Sequence, residues 1–193
     1  MAARGRYLVP NLIAYKNLKE NGRRLGYPEL GLAKLGAVLE HGSRSIEIAR
    51  RAGVKIAYGS DLSRAPELQS DEFLIRGEIE KPIDIIRSAT LVGAEVVRLP
   101  GKIGEIATGA FADLLVIDGN PLKDVRLLTD QGRHMPAIMA NGVFVKNALG
   151  EVGGLAKVAP RKKGAGVSKP GRNASARTSV AKTTAAHGPR RRR

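Results

Sequence analysis

Positions 28 to 61 constrain this chain more than any other stretch, because a long amphipathic helix runs through one glycine directly into an apolar strand that ends in a carboxylate. Leu32, Leu35, Leu39, Ile46 and Ala49 recur at spacings of three, four and seven, the period of one helix face. Pro28 is tolerated at the first turn, and Gly53 can close the last turn in a left-handed conformation. Val54-Lys55-Ile56-Ala57-Tyr58-Gly59-Ser60-Asp61 then predicts a short buried strand that delivers Asp61 at its C-terminal end. A helix feeding a strand in this way belongs to the strand–helix alternation of α/β folds.

The flanking segments repeat the theme. Tyr7-Leu8-Val9-Pro10-Asn11-Leu12-Ile13 reads as a strand end and loop, followed by a helical stretch that gives out between Gly22 and Gly26. Pro82 opens a further helix predicted over Ile83 to Leu99, with Ile85, Ile86, Ala89 and Val96 on or near one face. The order is therefore strand, helix, strand, helix. Beyond Pro100-Gly101 the pattern changes to short strands. Asp113 to Ile117 is an apolar run closed by the turn Asp118-Gly119-Asn120-Pro121. Asn141-Gly142, between Ala137–Ala140 and Val143–Lys146, predicts a tight hairpin with a type I′ turn. There is no internal repeat.

Composition excludes several classes. The 193 residues contain no cysteine, so the chain is neither a disulfide scaffold nor a cysteine-ligated zinc module, and a reducing intracellular setting is the natural reading. The apolar run after the basic N-terminus is broken at once by Pro10 and Asn11, too soon for a signal-peptide core or a membrane span. A soluble, cytoplasmic protein with no membrane partner is expected. The net charge of +15 is unevenly placed: twelve of the 33 Lys and Arg lie from Ala156 onward with no Asp or Glu among them. Positions 1 to 155 keep 21 basic against 18 acidic residues, a balance of +3. The tail, 150–193, is built from small, polar and basic residues and is expected to be disordered. Ending in Arg190-Arg191-Arg192-Arg193, it would attract nucleic acid weakly and non-specifically through counterion release. It carries no aromatic residue for base stacking, and a solvated appendage fits it equally.

Four segments taken together carry a family resemblance: Gly59-Ser60-Asp61 after an apolar strand, Ile86-Arg87-Ser88-Ala89-Thr90, the run from Gly104 to Leu122, and the hairpin Ile138 to Val145. The chain resembles, from about Tyr7 to Asn147, the C-terminal portion of a metal-dependent amidohydrolase, in the branch that includes imidazolonepropionase-like and Xaa-Pro dipeptidase-like enzymes. The resemblance implies the last two strand–helix units of a (β/α)8 TIM-like barrel in residues 1–98, the C-terminal strands of a small β-sandwich in 99–149, and the basic tail beyond. It implies hydrolysis of amide or cyclic amide C–N bonds in small or dipeptide-like substrates by a metal-activated water. The family's ligands to one or two divalent metals, usually zinc, are a His-x-His pair, often a carboxylated Lys, two further His, and an Asp from the last strand. Asp61 matches that Asp, and the resemblance implies for it the roles of metal ligand and catalytic proton acceptor.

The departures are large. No His-x-His occurs, and His41, His134 and His187 match no family ligand. A whole barrel takes about 250 residues, and a catalytic metal typically needs three protein ligands, so the chain alone is expected to be an inactive, truncated form. Either a separate N-terminal half or a homo-oligomer completes it, or it is a remnant without chemistry. Open strand edges would make it poorly soluble by itself. Other side chains carry blander readings. Ser60 and Ser63 sit in no nucleophile elbow. Gln69, Asp71, Glu72 and Arg76 could face a substrate but read better as a charged, solvated helix start. His41 and His134 read as surface or structural residues, and the glycines form neither a P-loop nor a dinucleotide fingerprint.

Overall fold

In the computed structural model, which describes residues 1–63 and 65–150, the long helix stops where its glycine demands. Helix α2 (Glu29–Arg51) carries Glu29 in its first turn and Arg50 and Arg51 in its last, each favourable to the helix dipole. Gly53 takes φ +66, its N–H bonds Arg50 O, and Val54 N–H bonds Ala49 O. This pair of bonds is the Schellman closure. The chain then enters β2 (Lys55–Ile56), which pairs parallel with β1 (Tyr7–Leu8), Tyr7 opposite Lys55 and Leu8 opposite Ile56. Because the two strands run the same way, Val9-Pro10-Asn11 and Ala57 to Asp61 emerge on the same side.

Between them, α1 (Leu12–Asn21) starts directly after Asn11 and packs on α2. Gly42 allows the approach, since a Cβ there would lie 2.6 Å from Leu12 Cδ2. Ile13, Leu62 and Ala65 form a small buried cluster, and Ala14, Leu68 and Ile75 pack against it. That cluster lies under the loop that carries Asp61.

The strand predicted over Val54 to Asp61 pairs only at Lys55–Ile56, and the structure corrects two further expectations. The predicted single helix from Ile83 to Leu99 is two, α4 (Pro82–Ala89) and α5 (Leu91–Val96), separated at Thr90 with φ −112 and ψ −85. Thr90 Oγ1 donates to Ile86 O at 2.7 Å, a side-chain bond that competes with regular helix geometry. The break frees Ser88 O, which accepts from Tyr58 N–H at 3.1 Å just beyond β2. Second, the supposed solvated helix start is a helix of its own, α3 (Glu72–Gly77), whose Glu72 and Arg76 are fully buried. It is preceded by a 3₁₀ segment, Pro66–Asp71.

The later segment contains a three-stranded antiparallel sheet in the order β3 (Leu114–Val116), β4 (Ala137–Ala140), β5 (Val143–Asn147). Asn141 and Gly142 both take positive φ, +48 and +79, which is the backbone that a type I′ hairpin requires. Asp113 Oδ1 accepts from Asn141 N–H at 2.6 Å and ties this turn to the start of β3. Leu115, Val143 and Val145 remain exposed on the sheet. No helix among the described residues is long and apolar enough to cross a membrane. The expectations for the tail, and His187 within it, fall outside the described residues.

Candidate active site

Asp61 sits in the loop that follows the carboxyl end of β2, with φ +51, a left-handed backbone that Asp adopts more readily than most residues. The turn lifts its side chain into solvent while the next residue, Leu62, is buried in the cluster beneath. Asp61 borders a cleft of about 390 Å³ that also touches Asn11, Tyr15, Asn17, Tyr27 and Ser63. The cleft therefore opens at the carboxyl ends of both parallel strands, where α/β proteins place their ligands.

Gly59 sets the separation of the two ends. A Cβ at position 59 would overlap Asn11 Oδ1 and come within 2.5 Å of Val9 Cγ1. Asn11 itself holds a left-handed φ of +50, and its buried Oδ1 has no hydrogen-bond partner among the described residues.

Behind the cleft lies a group of buried charges. Glu72 Oε2 accepts from Ile13 N–H at 2.7 Å, so a carboxylate on α3 caps α1 across 59 positions of sequence. Asn11, at the usual capping position, makes no side-chain cap bond. Arg76 donates through Nε and Nη2 to Glu80 Oε2 and Oε1, at 2.6 and 3.1 Å, and through Nη1 to Ala57 O at 3.3 Å. Burial pushes the Glu72 carboxyl up to about 7, against the amides of Ile13 and Leu12 and the Arg76 guanidinium, which favour its charged form. Tyr58 is also raised, first by burial and then by the nearby Glu72; its hydroxyl donates to Gln69 O at 2.8 Å and its ring packs on Phe73.

Of the residues singled out in the sequence, the cleft brings in Asp61 and Ser63. Gln69 only braces the loop, its side-chain amide donating to Leu62 O at 3.4 Å. His41 is exposed on α2, and half-buried His134 precedes β4. Among the described residues no three or more His, Asp or Glu side chains come together to hold a metal ion. Among the described residues Asp61 is the one carboxylate that lines the cleft, and it does not make a metal site by itself. Sequence reasoning missed Asn11, Tyr15 and Tyr27, which only the pairing of β1 with β2 and the packing of α1 bring to Asp61. The buried set had a faint signal, since Glu72, Arg76 and Glu80 are spaced i, i+4, i+8 among Phe73, Leu74, Ile75 and Ile79.

An α/β frame with its cleft at parallel strand ends defines a class, and comparison with known proteins narrows it. The model of the amidohydrolase family matches residues 1–167, and the chain belongs to that family. Among solved structures it is similar to an amidohydrolase, with 47% identity and a TM-score of 0.72 over 77% of this chain and 36% of that one. It is also similar to a prolidase complexed with N-methylphosphonate-L-proline, at 41% identity and TM-score 0.70, covering 75% and 36%. A Xaa-Pro dipeptidase with bound methionine follows at 27% identity and TM-score 0.64, covering 76% and 36%. The chain thus spans little more than a third of the length of these solved relatives. No curated protein matches it.

Proposed function

We propose that this chain supplies the closing part of an amidohydrolase that cleaves C–N bonds in small, dipeptide-like amides, with Asp61 as its contribution to the reacting centre. One observation carries this reading: in a member of the amidohydrolase family, an exposed carboxylate stands in the loop after the carboxyl end of β2, beside the end of parallel β1, on a cleft of about 390 Å³. In this reading residues 1–98 are the last two strand–helix units of a (β/α)8 barrel, and 99–149 contribute to a β-sandwich. The prolidase and dipeptidase relatives favour a substrate with a proline-like or amino-acid leaving group.

Asp61 can accept a proton from an attacking water and pass it to the departing amine, the work of a general base and acid at an amide. Tyr15, Tyr27 and Asn17 give the cleft two aromatic faces and an amide with which to hold a substrate. The divalent metal of the family, usually zinc, does not fit the donors that the described residues bring together, so its other ligands would come from barrel strands outside the span that this sequence covers. Those strands would belong to a complementary chain or segment seated against the open edges of β1 and β2.

The test is complementation. The full chain is coexpressed with the N-terminal two-thirds of the 41%-identical prolidase, purified with added zinc, and assayed on Xaa-Pro dipeptides. Hydrolysis by the complex but by neither part, lost in Asp61→Asn, is the expected result. A stable complex with no activity towards any dipeptide or N-acyl amino acid would leave the inactive-remnant reading in its place.

A further inference from the structure

The two loops that meet at the cleft come from distant parts of the sequence, and a single short helix behind them touches both. We propose that Glu72 and Arg76 are positioning residues, which fasten the carboxyl ends of β1 and β2 to α3 and so hold Asn11 and Asp61 in a fixed relation. The proposal rests on the reading of the cleft as the reacting site, although the fastening itself is a matter of geometry.

Four observations carry it. Both side chains are completely buried although each is ionisable, which is rare unless such groups are paired. They stand one helical turn apart and reach in different directions. Glu72 takes the N–H of Ile13, two residues beyond Asn11, while Arg76 takes the carbonyl of Ala57, four residues before Asp61. Arg76 is itself gripped by the two oxygens of Glu80, which fixes its plane. Finally, Asn11 is left-handed and offers α1 no cap of its own, so the first turn of α1 depends on the remote carboxylate.

The groups acting on Glu72 are known from every side that matters here. Arg76 lies on its own helix, Glu80 on the turn after it, and Tyr58 follows β2; α1 presents the Leu12 and Ile13 amides. Lys16 of α1 and Asp130 act on neighbouring Asp71. Among the described residues Glu72 Oε1 is buried without a hydrogen-bond partner, so the carboxyl can be protonated on that oxygen while Oε2 keeps its bond to the Ile13 N–H. Because burial outweighs the amides and the guanidinium, ionisation of Glu72 costs more in the closed arrangement than in an opened, solvated one, so the grip on α1 is firmest with Glu72 protonated and loosens as pH rises towards about 7.

Hydrogen exchange in the full 193-residue chain tests this without any need for activity. In Glu72→Leu the amides of Leu12 and Ile13 should exchange on the order of tenfold faster, the scale of a lost cap, with a smaller rise at 57–61. The amides of β3 and β4 should keep their rates. Glu72→Gln, which retains an acceptor, should restore most of the protection. In the wild type the protection of Ile13, corrected for intrinsic exchange, should change with pH through the titration of Glu72, and Glu72→Gln should remove that inflection. Arg76→Met should loosen 57–61 before it loosens α1. Equal loss of protection over α1 and β4 in all variants, or an inflection that survives in Glu72→Gln, would overturn the proposal. Should Glu72→Leu fail to fold, the pH profile of Glu72→Gln decides alone. Failure of the dipeptide assay leaves these exchange results untouched, so the two readings fail separately.

Discussion

Asp61 and Glu72 are both acidic residues near the end of one strand, yet the fold gives them opposite environments. Asp61 is exposed and, among the described residues, its side chain makes no hydrogen bond, so Asp61→Asn should change the stability of the folded chain by less than about 0.5 kcal/mol. Urea denaturation checks this, and separates a chemical role from a structural one. Glu72 should behave differently. Its carboxyl is raised from 4.5 to about 7 in the fold, so between those values the folded chain binds more protons than the unfolded chain. The contribution of this group to stability is therefore fully present below about pH 4.5 and is lost as pH rises towards 7, by roughly 3 kcal/mol, against the carboxylates of Glu29, Glu95 and Asp124, whose lowered values act in the opposite direction. Denaturation midpoints of the wild type should show this slope between pH 4.5 and 7, and those of Glu72→Gln should not. Asp61 was legible from sequence because a strand followed by Gly-Ser-Asp places it without knowledge of any partner. Glu72 and Arg76 were not, since charges four apart near a loop are usually solvated, and only the packing of α1 and β2 on α3 removes water from them.

At the scale of elements, the most legible ones close themselves with local chemistry. Helix α2 ends on Gly53 and the β4–β5 hairpin turns on Asn141-Gly142, and both were readable because the left-handed positions fall on residues that tolerate them. Gly53 has no atom within 4 Å of where a Cβ would sit, so Gly53→Ala should destabilise through its backbone alone, by about 1 kcal/mol. A thermal melt of that variant, with no change in far-UV signal below the transition, is the check. Elements shaped by distant partners were less legible. The break at Thr90 serves a bond from Tyr58 to Ser88 O, which no periodicity between 83 and 99 reveals. Strand β2 is shorter than the apolar run that announced it, because only two residues find a ladder partner on β1.

For the molecule as a whole, a parallel sheet of two strands is a small foundation. Among the described residues no further strand pairs with either of its outer edges, and in the sheet β3–β4–β5 Leu115, Val143 and Val145 are exposed. Apolar faces and unpaired edges of this kind favour association. Sedimentation of the chain by itself should show concentration-dependent self-association, which a complementary N-terminal part should suppress; a monomer at all concentrations would count against the open-edge reading. The general α/β plan and the family were legible in the sequence, whereas the rest of the cleft lining was not, because Tyr15 on α1 and Tyr27 in the loop before α2 reach Asp61 only through the packing of the fold. The contact at Gly59 has a practical meaning for anyone who would redesign the specificity of this cleft. With Asn11 and Val9 pressed against that glycine, the floor between the strands admits no new side chain. Altered selectivity has to be sought by exchanging Tyr15 and Tyr27, where the opposite wall has freedom to change.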